Sequence, residues 1–180
     1  MKSKSTTNTV KRIDFAIVKQ FHIEAYDFDN IYPQRVLDII GDSRTASSCM
    51  SRKQKFLFGG GFLNPKISKL IVNPFSDEKT LTADKLLRQS VHDAAIFNSV
   101  AWHLNFNGIG EVVGVKYIPW ENIRYGDDLD EKYKGKIAVY DDWALCKKKK
   151  INAKDIKFYD QWNGSNQRVL DKVVISFTFV

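Results

Sequence analysis

Two alternating runs around an Asn-Gly pair limit what this chain can fold into. Val100, Trp102, Leu104 and Phe106 alternate with Ala101, His103 and Asn105. A period of two is the mark of a half-buried strand. Asn107-Gly108 follows, a pair that tolerates positive φ and suits a tight hairpin turn, with Gly110 free to form a bulge. Val113, Val115 and Tyr117 alternate on the way back, and Pro119, lacking an N–H, ends the ladder. Ile137 to Tyr140 makes a third short strand before Asp141-Asp142-Trp143. A small antiparallel sheet with one face to bury needs helices to cover it.

The helices are readable on the N-terminal side. Asp29 and Asn30 can cap a helix whose first turn holds Pro33. Val36, Ile39, Ile40, Ser43, Ala46 or Ser47, Met50, Gln54 and Leu57 fall at three- and four-residue steps, which predicts one long helix with apolar ends and a weak point at Gly41. Its middle, Ser43 to Ser51, is small and polar, which allows close approach by another backbone or plain exposure, with exposure the preferred reading. Gly59-Gly60-Gly61 ends it. A phosphate cradle would want those glycines between a strand and a helix N-terminus, and here they follow a helix. Ile67 to Val72 suggests a short strand. Thr80 or Thr82 can cap a second helix over 82–98, with Ala83, Leu87, Val91, Ala94 and Phe97 inward. The fold class is α+β: a small antiparallel sheet with a central hairpin, covered by a long and a shorter helix.

The remainder is less patterned. Residues 1–12 form a polar arm. Ile13, Phe15, Ile17, Phe21, Ile23 and Ala25 suggest one or two strands, and 151–162 another. Asn163-Gly164-Ser165-Asn166 is a turn, and Val173 to Val180 reads as an unpaired, aggregation-prone edge. With 180 residues, 43% of them hydrophobic, the chain fits one globular domain. No run approaches the ~20 apolar residues of a membrane helix, and the N-terminus shows no signal peptide.

Constellations for chemistry are weak. His22, His92 and His103 lack metal-ligand spacing, and two cysteines make no disulfide framework. Cys49 reads as a small buried residue rather than a nucleophile, and Asp127 to Glu131 as a solvated loop rather than a calcium site. The charge of +7 and the run Lys147 to Lys150 permit contact with nucleic acid. The blander account of the lysine run is a solvated turn. Arg124 can stack on Trp120 or pair with Glu121. Trp120 and Trp143 read as core or interface aromatics.

Several segments, in order, resemble the N-terminal part of tailed-bacteriophage portal proteins. They are Asp29-Asn30-Ile31-Tyr32-Pro33, Gly59 to Phe62, the helix around Asp93, Asn105 to Glu111 with its Asn107-Gly108 turn, Pro119 to Arg124, and Lys136 to Trp143. The similarity spans residues 26–143. It implies a wing-like domain over 13–168 and a structural signature of Asn30, Pro33, Gly59, Gly61, Asp93, Asn107, Gly108, Pro119, Arg124 and Trp143. Trp120 and Arg124 are its candidate interface residues. It also implies a virion protein of a dodecameric ring at the capsid vertex, built in the host cytoplasm. Its partners would be capsid, terminase and tail-connector proteins, with double-stranded DNA passing through the channel. No catalytic, cofactor or metal site is implied. The family's stem, clip and crown are absent, and residues 169–180 match no family pattern. The expectation is therefore a fragment, a truncated frame or a split gene, unable to hold a stable ring alone. A basic nucleic-acid-binding module and a Cys49 hydrolase are the rival readings.

Overall fold

The computed structural model describes residues 20–27, 29–74, 81–144 and 151–162, and the backbone of 173–178. Among the described residues, four helices are followed by six strands, the segregated arrangement of an α+β fold. The predicted long helix is two helices, α1 (Tyr32–Asp42) and α2 (Arg44–Phe58). The break falls at Ser43, not Gly41. Ser43 is extended, and its hydroxyl accepts from the Ala46 N–H at 3.3 Å, so a strong N-cap residue starts a new helix there. Neither Asp29 nor Asn30 holds the N-cap position. Ile31 holds the N-cap position of α1 without a side-chain bond, and Pro33 is buried in the first turn. The exposed reading of Ser43 to Ser51 extends to the whole of α2, which buries no residue. Cys49 is exposed, contrary to the expectation of burial.

Gly59 closes α2 at φ +54°, its N–H bonding the Lys55 carbonyl at 3.0 Å. The strand expected at 67–72 is instead a single helical turn, α3 (Pro65–Ser68), and one bridge from Ile71 to Thr82. α4 (Ala83–Phe97) begins where expected, on the Thr82 hydroxyl. Its buried set is Ala83, Leu86, Ser90, Val91, Asp93 and Ala95, so the inward stripe is rotated from the expected one and carries polar residues. Trp102 explains Ser90: the indole N–H donates to the Ser90 hydroxyl at 2.8 Å, which donates to the Leu86 carbonyl.

β1 (Ser99–Phe106) and β2 (Val112–Ile118) form the central hairpin. Its turn differs in detail. The Asn107 N–H and side chain bond back to Glu111, and positive φ is taken by Gly110 (+84°), not by Asn107 or Gly108. Five residues, 107–111, separate the strands where a two-residue turn would need two, and the register slips beside Phe106. β1 is covered on both faces over its first half, so it is not a half-buried strand. Pro119 leads into a 3₁₀ turn (Trp120–Asn122) and the unforeseen β3 (Ile123–Tyr125). β4 (Lys136–Val139) and β5 (Lys157–Gln161) continue antiparallel.

β6 (Val173–Thr178) joins the two pieces. It pairs antiparallel with β1 and parallel with the end of β5, giving the order β2-β1-β6-β5-β4-β3. This overturns the open-edge reading of the C-terminal strand. The outer strands are partly covered instead: Val115 donates to the Val72 carbonyl, and Glu24 to that of Tyr125. The sheet curls, because Ala101 and Ile118 from one end share a core with Ile123 and Ile137 from the other. A second core gathers Phe21, Ile23, Ala138, Trp143, Ile151 and Ile156. Residues 13–17, the lysine run 147–150 and the turn at 163–166 lie outside the described residues.

Candidate functional site

The signature residues from the two ends of the similar region meet at Arg124. β3 carries this arginine inward, and it is fully buried. Its Nε donates to Asn30 Oδ1 at 2.5 Å and one Nη to the Asn30 carbonyl at 2.6 Å. The other Nη donates to the carbonyls of Ile123 (2.6 Å) and Glu121 (3.0 Å). The guanidinium lies 4.6 Å from the Tyr26 ring and 5.0 Å from that of Trp143. Trp143 is fixed by its own N–H to the Asn122 carbonyl at 3.0 Å. The expected stack on Trp120 does not form; Trp120 meets Tyr125 edge-on. Within this chain Arg124 is fully buried. Trp120, 8% exposed, offers little surface to a neighbour either.

The residue types follow from the geometry. Asn30 sits at φ +61°, a region asparagine tolerates better than most residues. Its Oδ1 also accepts from the Tyr26 N–H at 3.1 Å. Only a planar fork with several donors can serve so many oxygens while stacking between rings. Burial is the main force that raises the Tyr26 hydroxyl well above the ordinary tyrosine range. Beside it, buried Asp29 pairs with Arg35 of α1.

Asp93 makes the second junction. Buried on α4, it accepts from the Tyr117 hydroxyl at 2.7 Å and from the Trp120 N–H at 2.9 Å. It thereby ties the helix to the end of β2, around Pro119. Its other oxygen meets His92 Nδ1 at 3.2 Å, and that bond raises the His92 pKa. Burial, then the Asp93 charge, push the Tyr117 hydroxyl far up. Glu121 is raised first by burial and then by Asp93.

The remaining signature residues do not join these junctions. Gly59 and Gly61 turn the chain after α2, and a Cβ on Gly61 would lie 3.2 Å from the Phe58 ring. Asn107 and Gly108 sit at the hairpin tip.

The curled sheet leaves an open cleft of about 840 Å³ lined by Asn73, His103, Asn105, Lys116, Lys157 and Tyr159 among others. His103 leans on Tyr159 at 4.9 Å. The lining of the cleft contains no serine, threonine or cysteine among the described residues. Nor does any group of three His, Cys, Asp or Glu suit a metal there. Cys49 has no hydrogen bond to a histidine among those residues, so the geometry gives the hydrolase reading no support. Among them, too, no helix is long and apolar enough to cross a membrane. No family model, curated protein or solved structure matches this chain.

Sequence reasoning flagged Asn30, Asp93, Arg124 and Trp143 but missed Tyr26, Asn122 and Tyr117. The available signal for Tyr117 was its place two residues before the strand-ending proline, where a polar tip must find a partner.

Proposed function

We propose that this chain is a virion structural protein built like the wing of a tailed-phage portal. It acts as a subunit of the ring at the capsid vertex through which DNA is packaged and ejected. It is not an enzyme; its work is to hold position between shell, terminase and tail connector. The observation that carries the reading is the meeting of Asn30, Arg124 and Trp143. These residues belong to three separate segments of the resemblance, two of them 94 residues apart, and they share one buried arginine clamp. Segments that must recur together to make one clamp are a stronger mark than scattered matches. The Asp93 junction ties one more of those segments, the helix around Asp93, to the Pro119–Arg124 segment.

The test is quantitative mass spectrometry of purified, DNA-filled particles of a phage encoding this chain. About a dozen copies per particle, the number of a closed vertex ring, are expected. Its absence from the particles would overturn the reading. The basic nucleic-acid module keeps one specific support, the carboxylate-free basic stretch described next. Salt-sensitive shifting of duplex DNA by a chain missing from particles would favour it.

A further inference from the structure

Residues 43–74 contain six lysines and arginines (Arg44, Arg52, Lys53, Lys55, Lys66 and Lys69) and no aspartate or glutamate. Apart from Lys53, which donates to the Ala95 carbonyl at the end of α4, none of the six makes an ion pair or side-chain hydrogen bond among the described residues. The same stretch leaves large apolar side chains in solvent: Phe56 is 86% exposed, Leu63 104%, and Ile67 and Leu70 about half. Arg52, Lys55 and Phe56 stand three and four residues apart on α2 and so share a face. A helix that buries nothing and is both basic and apolar is an unfilled interface.

The complement lies elsewhere on the same chain. Between β3 and β4, Asp127, Asp128, Asp130 and Glu131 surround Leu129, which is 94% exposed. That loop is braced by bonds of its own. The side chains of Asp127 and Asp130 cap its own turns, and His22 stacks on Tyr133 behind it. α2 packs on α1 and α4, and α4 in turn on the hairpin, whereas the loop belongs to the opposite end of the sheet order.

We infer that the basic apolar face of α2–α3 receives the Asp127–Glu131 loop of a second copy. Leu129 enters among Phe56, Leu63 and Ile67, with carboxylates against Arg52 and Lys55. The two surfaces differ, so the contact is heterologous and propagates head to tail. Phosphate backbones would use the cations but leave the aliphatic side chains without a partner, which favours a protein loop. The choice of a second copy as occupant rests on the ring reading; the charge and exposure of the two surfaces do not.

The test uses the full chain in sedimentation velocity over a range of concentration and salt. Wild type should associate reversibly and less so as salt rises. Asp128→Lys with Glu131→Lys should abolish association, and so should Arg52→Glu with Lys55→Glu. All four positions are exposed, and circular dichroism checks that each variant is folded. Mixing the two folded variants should restore association, because each then meets an opposite charge. Wild type that stays monomeric, or two variants that fail to rescue each other, would overturn the inference. So would wild type that instead binds a DNA duplex or anionic vesicles without self-associating. Copies in the virion without this pairing would sink the inference alone, and pairing without virion copies would sink the ring reading alone.

Discussion

Arg124 is the residue on which most oxygens depend. Replacing it with methionine keeps the bulk but strands the acceptors of Asn30, Glu121 and Ile123 in the interior. The cost should be about 3–5 kcal/mol in urea unfolding, and lysine should restore little because it lacks the planar fork. A loss below about 1 kcal/mol would mean that water already serves those carbonyls. At the hairpin tip the weight moves from Gly108 to Gly110. Gly108 has open space and ordinary φ, so valine there should cost under about 0.5 kcal/mol, whereas Gly110→Ala strains φ +84° and should cost about 1–2 kcal/mol. The pair Asn-Gly was legible as a turn, but its length was not. Asn107 turns its side chain to the N–H groups of Ile109 and Glu111, and that local bonding sets the loop.

His92 gives stability a pH dependence of known sign. Its folded pKa lies above the ordinary 6.5, first through its bond to Asp93. The contribution is fully present below the unfolded pKa and is lost as pH rises through the folded one. Wild type should therefore weaken relative to His92→Gln between about pH 6 and pH 8, by an amount kept small because the ring is half exposed. Tyr26 and Tyr117 act likewise at higher pH. Both are raised above 10.0, so stability should fall once the unfolded tyrosines begin to ionise. Urea titrations at stepped pH would check both ranges, and a flat difference between wild type and His92→Gln would remove the Asp93 bond from the account.

At the scale of elements, the periodicities found the long helices and the hairpin but misjudged where they stop, and around Phe21 to Ala25 and at 67–72 they suggested strands where the structure has helical turns and single bridges. A continuous 3.6-residue pattern runs through Ser43, and only a capping side chain divides it. Two neighbouring substitutions separate the alternatives. Gly41→Ala, in open space within α1, should stabilise by about 0.5–1 kcal/mol. Ser43→Ala removes the cap of α2 and should cost about 1 kcal/mol. The reverse order in thermal melts would return the break to Gly41. β3 was not legible, because three residues cannot display a period and one of them is a buried arginine. The stripe of α4 was misread for a related reason. Ser90 and Asp93 face inward to meet Trp102, Tyr117 and Trp120, and partner atoms from another strand are invisible in a hydrophobicity pattern.

The whole molecule depends on β6 more than its place in the chain suggests. Without partners in view, a strongly β-forming terminal segment reads as a hazard to be trimmed. In the structure it lies between β1 and β5, and six of its residues pair with Ser99 to Leu104. The hairpin and the β3–β5 meander share no other strand among the described residues, although Ala101 and Ile137 belong to one core. Removing residues 169–180 should therefore strip both pieces of a ladder and lower solubility. Ile175→Pro is the milder form of the same test, because Ile175 pairs with Trp102 in the middle of the ladder. Proline there removes a backbone donor from a central strand and should cost at least about 3 kcal/mol. Hydrogen exchange would localise the effect, with amides of β1 losing protection while those pairing β3 with β4 keep more of theirs. Equal protection across all strands in the variant would mean that the two pieces are held by the shared core alone, and β6 would revert to a dispensable edge.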